Sequence, residues 1–165
     1  MLAHFNTQWN DDKTVRFRNN EIDVYFAVNQ NLTSSAKREL ERWSNATNDL
    51  ITFNYVDSPP DNGLSVLPFP LIRPAVCGSA SPDHENGVIK RSVIFLDAIS
   101  LTTLCEKTLT HEVGHAIGLM AHSDDGGLMD DNGGDGKIND QIVRILKIIY
   151  STPPDTPFSS IEFDE

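Results

Sequence analysis

Residues 111–122 read HEVGHAIGLMAH, a stretch with three histidines, a glutamate and a glycine in a spacing typical of a metal site. Residues four apart lie on one face of a helix, so His111 and His115 can bind one metal ion together. Glu112 lies about 100° round the helix from His111, where its carboxylate can reach a metal-activated water without being a ligand. The stretch therefore predicts a zinc site with Glu112 as its general base.

A glycine and a third histidine follow the first two histidines of this stretch. Gly118 can take a positive φ at no steric cost, so the chain can leave the helix there in a sharp turn. That turn can bring His122 back toward the metal, and three histidines plus water make an open tetrahedral zinc site. Histidines four apart can also be ordinary core or surface residues, but the strong apolar patterning of the helix favours the metal site.

Composition limits what kind of protein this is. The chain has 165 residues, 39% of them hydrophobic, which fits one globular domain with its own core. Its net charge of −11 argues against nucleic acid as a partner, because phosphates require a basic surface. No apolar run reaches the roughly 18 residues of a membrane span. The first residues lack the layout of a signal peptide, so we expect an intracellular protein or a mature, trimmed form.

Apolar periodicity and turn residues predict alternating strands and helices along the chain. Strands are predicted at residues 22–28, 50–56, 64–67 and 88–96. Helices are predicted from Thr33 or Ser34 to about residue 47, at 101–119 and at 140–150. Residues 68–81 are rich in proline and belong at a sheet edge. Residues 123–136 are predicted to be a loop, and the tail from residue 151 extended or disordered.

HEVGHAIGLMAH, followed by GLMD at 127–130, resembles the metzincin zinc peptidases, whose signature is HExxHxxGxxH and a downstream methionine turn. Residues 78–98 resemble the edge strand, loop and next strand of matrixins and astacins. The resemblance covers about residues 14–150. It implies an α+β fold, with a twisted mixed five-stranded sheet packed on two helices and a small C-terminal subdomain. That subdomain would hold the methionine turn and a third helix.

The resemblance also implies a division of the chain. Residues 1–150 would be a single metallopeptidase domain, with an upper subdomain at about 14–118 and a lower one at 119–150. Residues 151–165 would be a proline-rich tail.

The same resemblance assigns roles residue by residue. His111 and His115 match the first two zinc ligands, and Glu112 matches the general base that later acts as acid. Gly118 matches the turn glycine. Met129 matches the methionine that packs beneath the metal without binding it. The implied activity is hydrolysis of peptide bonds by a metal-activated water.

The chain departs from the metzincin pattern at two positions. The family places its third histidine where this chain has Ala121, and His122 stands one position later. His122 is the expected third ligand. Asp124 is the reserve, and a weak site of two histidines is the remaining alternative. Astacins and serralysins place a tyrosine that can contact zinc two residues beyond the methionine, where this chain has Asp131.

Cys77 and Cys105 are the two cysteines of the chain. Composition leaves a disulfide and two buried thiols equally open. Astacins carry a disulfide of similar placement, so the resemblance implies a bridge between Cys77 and Cys105. A bridge in turn implies an oxidising compartment, and hence a secreted, extracellular protein.

Residues 131–140, DNGGDGKIND, resemble a calcium-binding loop of the EF-hand kind. The match is incomplete, because Ile142 stands at the twelfth position, where a carboxylate is expected. The alternative is a flexible turn in which Asn139 caps the last helix.

These observations together predict a small secreted zinc endopeptidase. Its partner would be a protein or peptide substrate lying extended along residues 75–81, and we expect a monomer with no membrane span. Two other interpretations stay open. One is a metzincin-like binding module with weak or no catalysis, and the other is a calcium-dependent interaction module.

Overall fold

A mixed, mostly parallel sheet is the centre of the fold in a computed structural model that describes residues 12–70, 76–102 and 105–162. Every strand pairing is parallel except that of β5, which runs antiparallel to β6. The order across the sheet is β3-β2-β4-β6-β5, with β1 also paired to β6. The strands are β1 (Arg16–Phe17), β2 (Glu21–Phe26), β3 (Thr52–Val56), β4 (Gly63–Pro68), β5 (Ser79–Glu85) and β6 (Val88–Leu96).

The sheet has six strands where five were expected, and β1 makes the difference. It pairs with β6 only through Arg16↔Val88 and Phe17↔Ile89. β5 pairs with Val88 and Ile89 along the opposite edge of β6. β1 therefore lies along the same edge of β6 as β4, which pairs with β6 from Arg91 onward. Two residues are too short a run to show alternating hydrophobicity, which is why no sequence pattern predicts this strand.

One face of the sheet is buried and the other is half-exposed. Val24 and Leu64 are paired in register and fully buried, as are Val66 and Ile94. Their neighbours along the strands, such as Tyr25, point to the half-exposed face. The predicted strands at 22–28, 50–56, 64–67 and 88–96 are therefore all present, with ends shifted by up to two residues.

Helix α1 (Gln30–Ala46) starts earlier than its sequence suggested. Asn29 is the cap, and its side-chain oxygen accepts a hydrogen bond from the Leu32 N–H at 3.0 Å. The prediction of Thr33 or Ser34 as cap is wrong, because Asn29 already satisfies a donor of the first turn. The buried side of the helix has Leu40 and Trp43 at its centre.

Helix α2 (Thr108–Ala116) starts later than expected, and the prediction of a helix from residue 101 is wrong. Residues 98–101 form a separate 3-10 turn, and Leu101 is 43% exposed. The Ser100 hydroxyl donates to the Cys77 carbonyl, which ties this turn to the start of β5. The segment is thus held against the sheet edge rather than continuing the axis of α2.

Helix α3 (Asp140–Ser151) agrees with its predicted extent. Asn139 caps it by accepting from the Ile142 N–H at 2.9 Å, and Ile142, Ile145, Leu146 and Ile149 are buried as expected. The tail that follows pairs with the other end of the chain, where the Thr14 N–H donates to the Thr156 carbonyl at 2.9 Å. None of the helices in the described ranges is long and apolar enough to cross a membrane.

The proline-rich segment is partly ordered into strand. Residues 71–75 lie outside the described residues, residues 76–78 are irregular, and Ser79 begins β5. Its predicted place is confirmed, because β5 pairs only with β6 among the described strands and so forms a sheet edge. The predicted disulfide is also confirmed: Cys77 and Cys105 are bridged, with their Cα atoms 5.3 Å apart. The bridge joins this edge to the start of α2.

Removal of the bridge should lower the free energy of unfolding by about 3 kcal/mol, because it closes a loop with a sequence separation of 28 residues. Urea denaturation of Cys77→Ala/Cys105→Ala against the parent chain measures this difference. The parent chain, denatured without reductant, should titrate no free thiol. Two free thiols in that titration would contradict the bridge.

Candidate metal centre

Side chains of α1 and of the loop after α2 pack against the buried side of α2. The Trp43 indole N–H donates to the Thr110 carbonyl at 3.1 Å, and both groups are buried. Gly114 faces the same side, where a Cβ atom would lie 2.6 Å from the Met129 Sδ. Met129 thus packs against the helix backbone through the gap that Gly114 leaves. The expected burial of Met129 is observed, since its side chain is fully buried.

The end of α2 is fixed by Gly118. Its φ is +125°, and a Cβ atom there would lie 2.3 Å from the Val15 carbonyl oxygen, so only glycine fits. The Leu119 N–H donates to the Gly114 carbonyl, and the Gly118 N–H donates to the His115 carbonyl. This pair of hydrogen bonds is the Schellman motif, with glycine at its usual position. The sharp turn expected at Gly118 is therefore present.

The side chains of three histidines, two on α2 and one after this turn, lie close together. One nitrogen from each of His111, His115 and His122 lies within 4.8 Å of the others, and the ring centroids are 4.5 to 5.1 Å apart. The Nε2 atoms of His111 and His115 are 2.9 Å apart. Zinc–nitrogen bonds of about 2.0–2.1 Å place the nitrogens of a tetrahedral site about 3.3 Å apart, within this range.

Each ring is oriented by an oxygen at its other nitrogen. The His111 Nδ1 lies 2.7 Å from the Leu128 carbonyl oxygen, and the His115 Nδ1 lies 2.6 Å from that of Leu119. A carbonyl only accepts, so both Nδ1 atoms carry the proton. The third ring, His122, places its Nδ1 against the Asp131 carboxylate. In all three histidines Nε2 is therefore the nitrogen that remains available to bind a shared metal ion.

This arrangement is suited to a cation. In the neutral rings of His111 and His115 the two Nε2 atoms carry lone pairs that face each other at 2.9 Å and repel. Burial, and next the neighbouring His111, lowers the pKa of His115 to about 4, so a shared proton does not relieve the contact at neutral pH. Burial also lowers the pKa of His111. Neutral imidazoles with the outer nitrogen hydrogen-bonded are the form in which histidine binds metals.

Glu112 sits on the side of α2 that faces the sheet edge. Its side chain is buried, and a Cβ atom added to Gly78 would lie 3.3 Å from its Cγ atom. Burial raises the pKa of Glu112 to about 7, against an opposing interaction with the main chain of Ala80. A cation bound at the histidines would lower this pKa again. The carboxylate thus lies between the histidine helix and β5.

His122 is brought to the site by the loop that follows the helix turn. The Ser123 N–H donates to the Met129 carbonyl at 2.7 Å, which closes this loop on itself. The ring of His122 is 46% exposed, unlike those on α2. Asp124 is exposed and is not among the side chains whose ligand atoms converge. The geometry thus places His122 where a third ligand was expected, and leaves its reserve outside.

The Asp/Gly loop uses its own oxygens for backbone turns. Asn132 accepts from the Gly134 N–H, and Asp135 accepts from the Lys137 N–H. The ammonium of Lys107 donates to the Gly134 carbonyl at 2.6 Å, so a cation already binds this loop. Within the described ranges, the three histidines form the sole cluster of protein side chains that could hold a metal. The calcium prediction gains no support from this arrangement.

Three groups that orient the histidines were missed at the sequence level. The carbonyls of Leu119 and Leu128 belong to the main chain, and no side-chain pattern reports which carbonyl a ring meets. Asp131 was noted only as the residue at the position of the astacin and serralysin tyrosine and as the first residue of the calcium-like loop. Its contact with His122 depends on how two ends of one loop meet, which spacing alone does not reveal.

Comparison with known proteins gives a likeness in structure but none in sequence. No protein-family model matches the sequence, and curated proteins give no significant match. One solved structure that matches is that of myroilysin, at 22% sequence identity and a TM-score of 0.44. The match covers 67% of this chain and 54% of that one, so the chain spans about half of the myroilysin chain. Because the superposition is loose, the interpretation of the site rests on the chain's own residues.

Substitution of Gly118 by alanine should be severely destabilising. The positive φ costs about 1–3 kcal/mol for a residue with a Cβ atom, and the overlap with the Val15 oxygen adds to it. We expect a total loss of about 3 kcal/mol or more in the free energy of unfolding. Gly126→Ala is the matched control, because its φ is +72° and a Cβ atom there meets nothing within 4 Å. The control should lose about 1 kcal/mol, and equal losses would contradict the close-approach argument.

Proposed function

We propose that the chain is a zinc-dependent endopeptidase, with His111, His115 and His122 as the metal ligands and Glu112 as the general base. The observation that carries the proposal is the convergence of three histidines, each with its Nδ1 already engaged by an oxygen. Three neutral nitrogen donors with an open side are the donor set of catalytic zinc sites. When bound, zinc supplies a Lewis acid that polarises a carbonyl and lowers the pKa of water toward about 7.

Glu112 is the residue that would move the proton. Its place beside Gly78 and Ala80 sets it between the histidines and β5, where the scissile bond of an extended peptide would lie. It would accept a proton from the attacking water and then deliver that proton to the leaving amine nitrogen. Burial raises the pKa of Glu112 and so opposes the lowering by a bound cation, which keeps the carboxylate from becoming a poor base of very low pKa.

The edge strand β5 would orient the substrate. It is antiparallel to β6 and pairs with no other described strand, so its outer edge offers main-chain donors and acceptors to an extended peptide. Residues 76–81 are the described part of the segment proposed for this contact. The disulfide fixes the start of that segment relative to α2, which keeps Gly78 beside Glu112.

Other features of the proposal follow from this chemistry. We also propose the metzincin-like division into an upper subdomain at about 14–118 and a lower one at 119–150, which would put α2 in the upper part and the loop with Met129 in the lower part. The disulfide is compatible with a secreted protein, and we propose an extracellular site of action. The partner would be a protein or peptide substrate, cleaved by a monomer.

Glu112→Gln should retain full zinc content and lose at least about a hundredfold in the rate of peptide cleavage, because the amide cannot take the proton. Digestion of a peptide library, read by mass spectrometry alongside metal analysis, measures both quantities. Glu106→Gln is the control, since Glu106 is an exposed glutamate in the turn before α2. Undiminished cleavage by Glu112→Gln would rule out its role as base.

His122→Ala should bind zinc more weakly than the parent chain, and a chelator should abolish cleavage by the parent until zinc is restored. The control is His84→Ala, which removes a histidine of β5 that is outside the cluster. Metal analysis after dialysis against a graded series of chelator concentrations gives the comparison. Equal zinc retention by His122→Ala and His84→Ala would exclude His122 as a ligand. Zinc binding without any cleavage by the parent chain would support a binding module instead.

A further inference from the structure

The third histidine is held differently from the other two. His111 and His115 are buried and meet main-chain carbonyls, whereas the His122 side chain is 46% exposed and meets a side-chain carboxylate. We propose that Asp131 is the positioning residue for His122: its carboxylate accepts the Nδ1–H and thereby directs Nε2 to the metal. This inference rests on the proposed function, because it assigns Asp131 to that same zinc site.

A single β-bridge within the loop brings Asp131 close to the His122 ring. Ser123 and Asp130 form a parallel bridge, and the Ser123 N–H donates to the carbonyl of Met129, whose side chain is fully buried. His122 immediately precedes one partner of the bridge, and Asp131 immediately follows the other. The bridge holds the two segments of the loop side by side, with the buried methionine as its anchor, and the His122 and Asp131 side chains reach each other from residues that adjoin it.

A turn holds the carboxylate end of this contact. The Gly133 N–H donates to the Asp130 carbonyl at 2.8 Å, so Asp131 occupies the first central position of a tight turn. Its side chain is 82% exposed, and the contact with the His122 Nδ1 is the ion pair that the structure gives it. Because the Asp131 carboxylate is exposed and takes no part in core packing, it is available to accept a hydrogen bond from the His122 ring.

The geometry distinguishes a positioning role from a ligand role. The Asp131 oxygen meets Nδ1, so Nε2 is the nitrogen of His122 that remains available to a metal shared with His111 and His115. Asp131 itself is not among the side chains whose ligand atoms converge. The carboxylate fixes the tautomer, raises the basicity of the ring and restricts its rotation, which are the known effects of such partners.

Charge alone is a competing explanation that has to be separated. Both Asp131 and Asp130 act on His111 electrostatically, in the direction that raises its pKa, so either carboxylate would favour a cation in the site. Asp130 differs in its contact, because its carboxylate accepts from the Gly126 N–H at 3.2 Å and meets no histidine in the described part of the chain. The neighbouring residue therefore provides a matched control for charge without the ring contact.

The test measures the dissociation constant for Zn²⁺ by competition with a chromophoric chelator, together with the melting temperature of the metal-free protein. Asp131→Ala should bind zinc about 10–100-fold more weakly. Asp131→Asn keeps an oxygen acceptor and should recover much of that loss. Asp130→Asn, which removes the same charge and keeps the Gly126 contact, should bind within about threefold of the parent. All three variants should have the same melting temperature as the parent when metal-free. Asp131 is exposed, and Asp130→Asn keeps the contact with the Gly126 N–H.

Four outcomes would overturn the inference. Zinc affinity unchanged in Asp131→Ala would remove any role for the contact. An equal loss in Asp130→Asn would assign the effect to charge, and a lower metal-free melting temperature of Asp131→Ala would assign it to loop folding. These three leave zinc binding by the parent intact. Failure of the parent chain itself to bind zinc would instead overturn the proposed function, and this inference with it.

Discussion

The end of helix α2 at Gly118 is the constraint on which the metal centre depends. A positive φ at this position turns the chain by way of the Schellman hydrogen bonds from Leu119 and Gly118. The same turn points the Leu119 carbonyl back at the His115 ring, so the turn that ends the helix also orients one of the three clustered rings. The approach to the Val15 carbonyl, which excludes any Cβ atom, locks the turn against the start of β1. A helix continued by one more turn would lose both features.

Beneath the histidines, Gly114 has a different role from Gly118. A glycine inside a helix costs about 1 kcal/mol relative to alanine, and here that cost is offset by close packing. The Met129 Sδ and the Trp43 ring both lie against the helix at the place where a side chain would stand. Trp43 also donates to the Thr110 carbonyl, and the Thr110 hydroxyl donates to Glu39, so α1 carries the histidine helix on its buried side. The floor of the site is thus part of the main hydrophobic core.

The parts of the fold that could be predicted from the sequence are those set by local information. The spacing of His111 and His115 follows from helix geometry, and the strands were found because their apolar residues alternate. The predictions failed at the start of α1 and of α2, where the outcome depends on the cap and on a distant partner. The Ser100 hydroxyl donates to the Cys77 carbonyl, and this contact holds the 3-10 turn at residues 98–101 against the segment that leads into β5.

The same distinction holds within the site. The three histidines and Glu112 are recognisable from their side chains and spacing. The acceptors that orient the rings are two carbonyls and one loop aspartate, and each depends on tertiary structure. Long-range contacts of this kind leave no period in a sequence, so the orienting groups had to come from the structure.

The displaced third histidine can be understood from what holds it. His111 and His115 each donate to a main-chain carbonyl, so the backbone that carries the carbonyl must lie at a fixed distance from the ring. A ring held by a side chain has more latitude, because an aspartate adds two rotatable bonds between backbone and acceptor. One extra residue moves a Cα atom by about 3.8 Å, and a loop closed by the Ser123–Asp130 bridge can absorb that shift at its exposed side. Asp131 provides what a ring held in this way needs, which is a short acceptor at the outer nitrogen of His122.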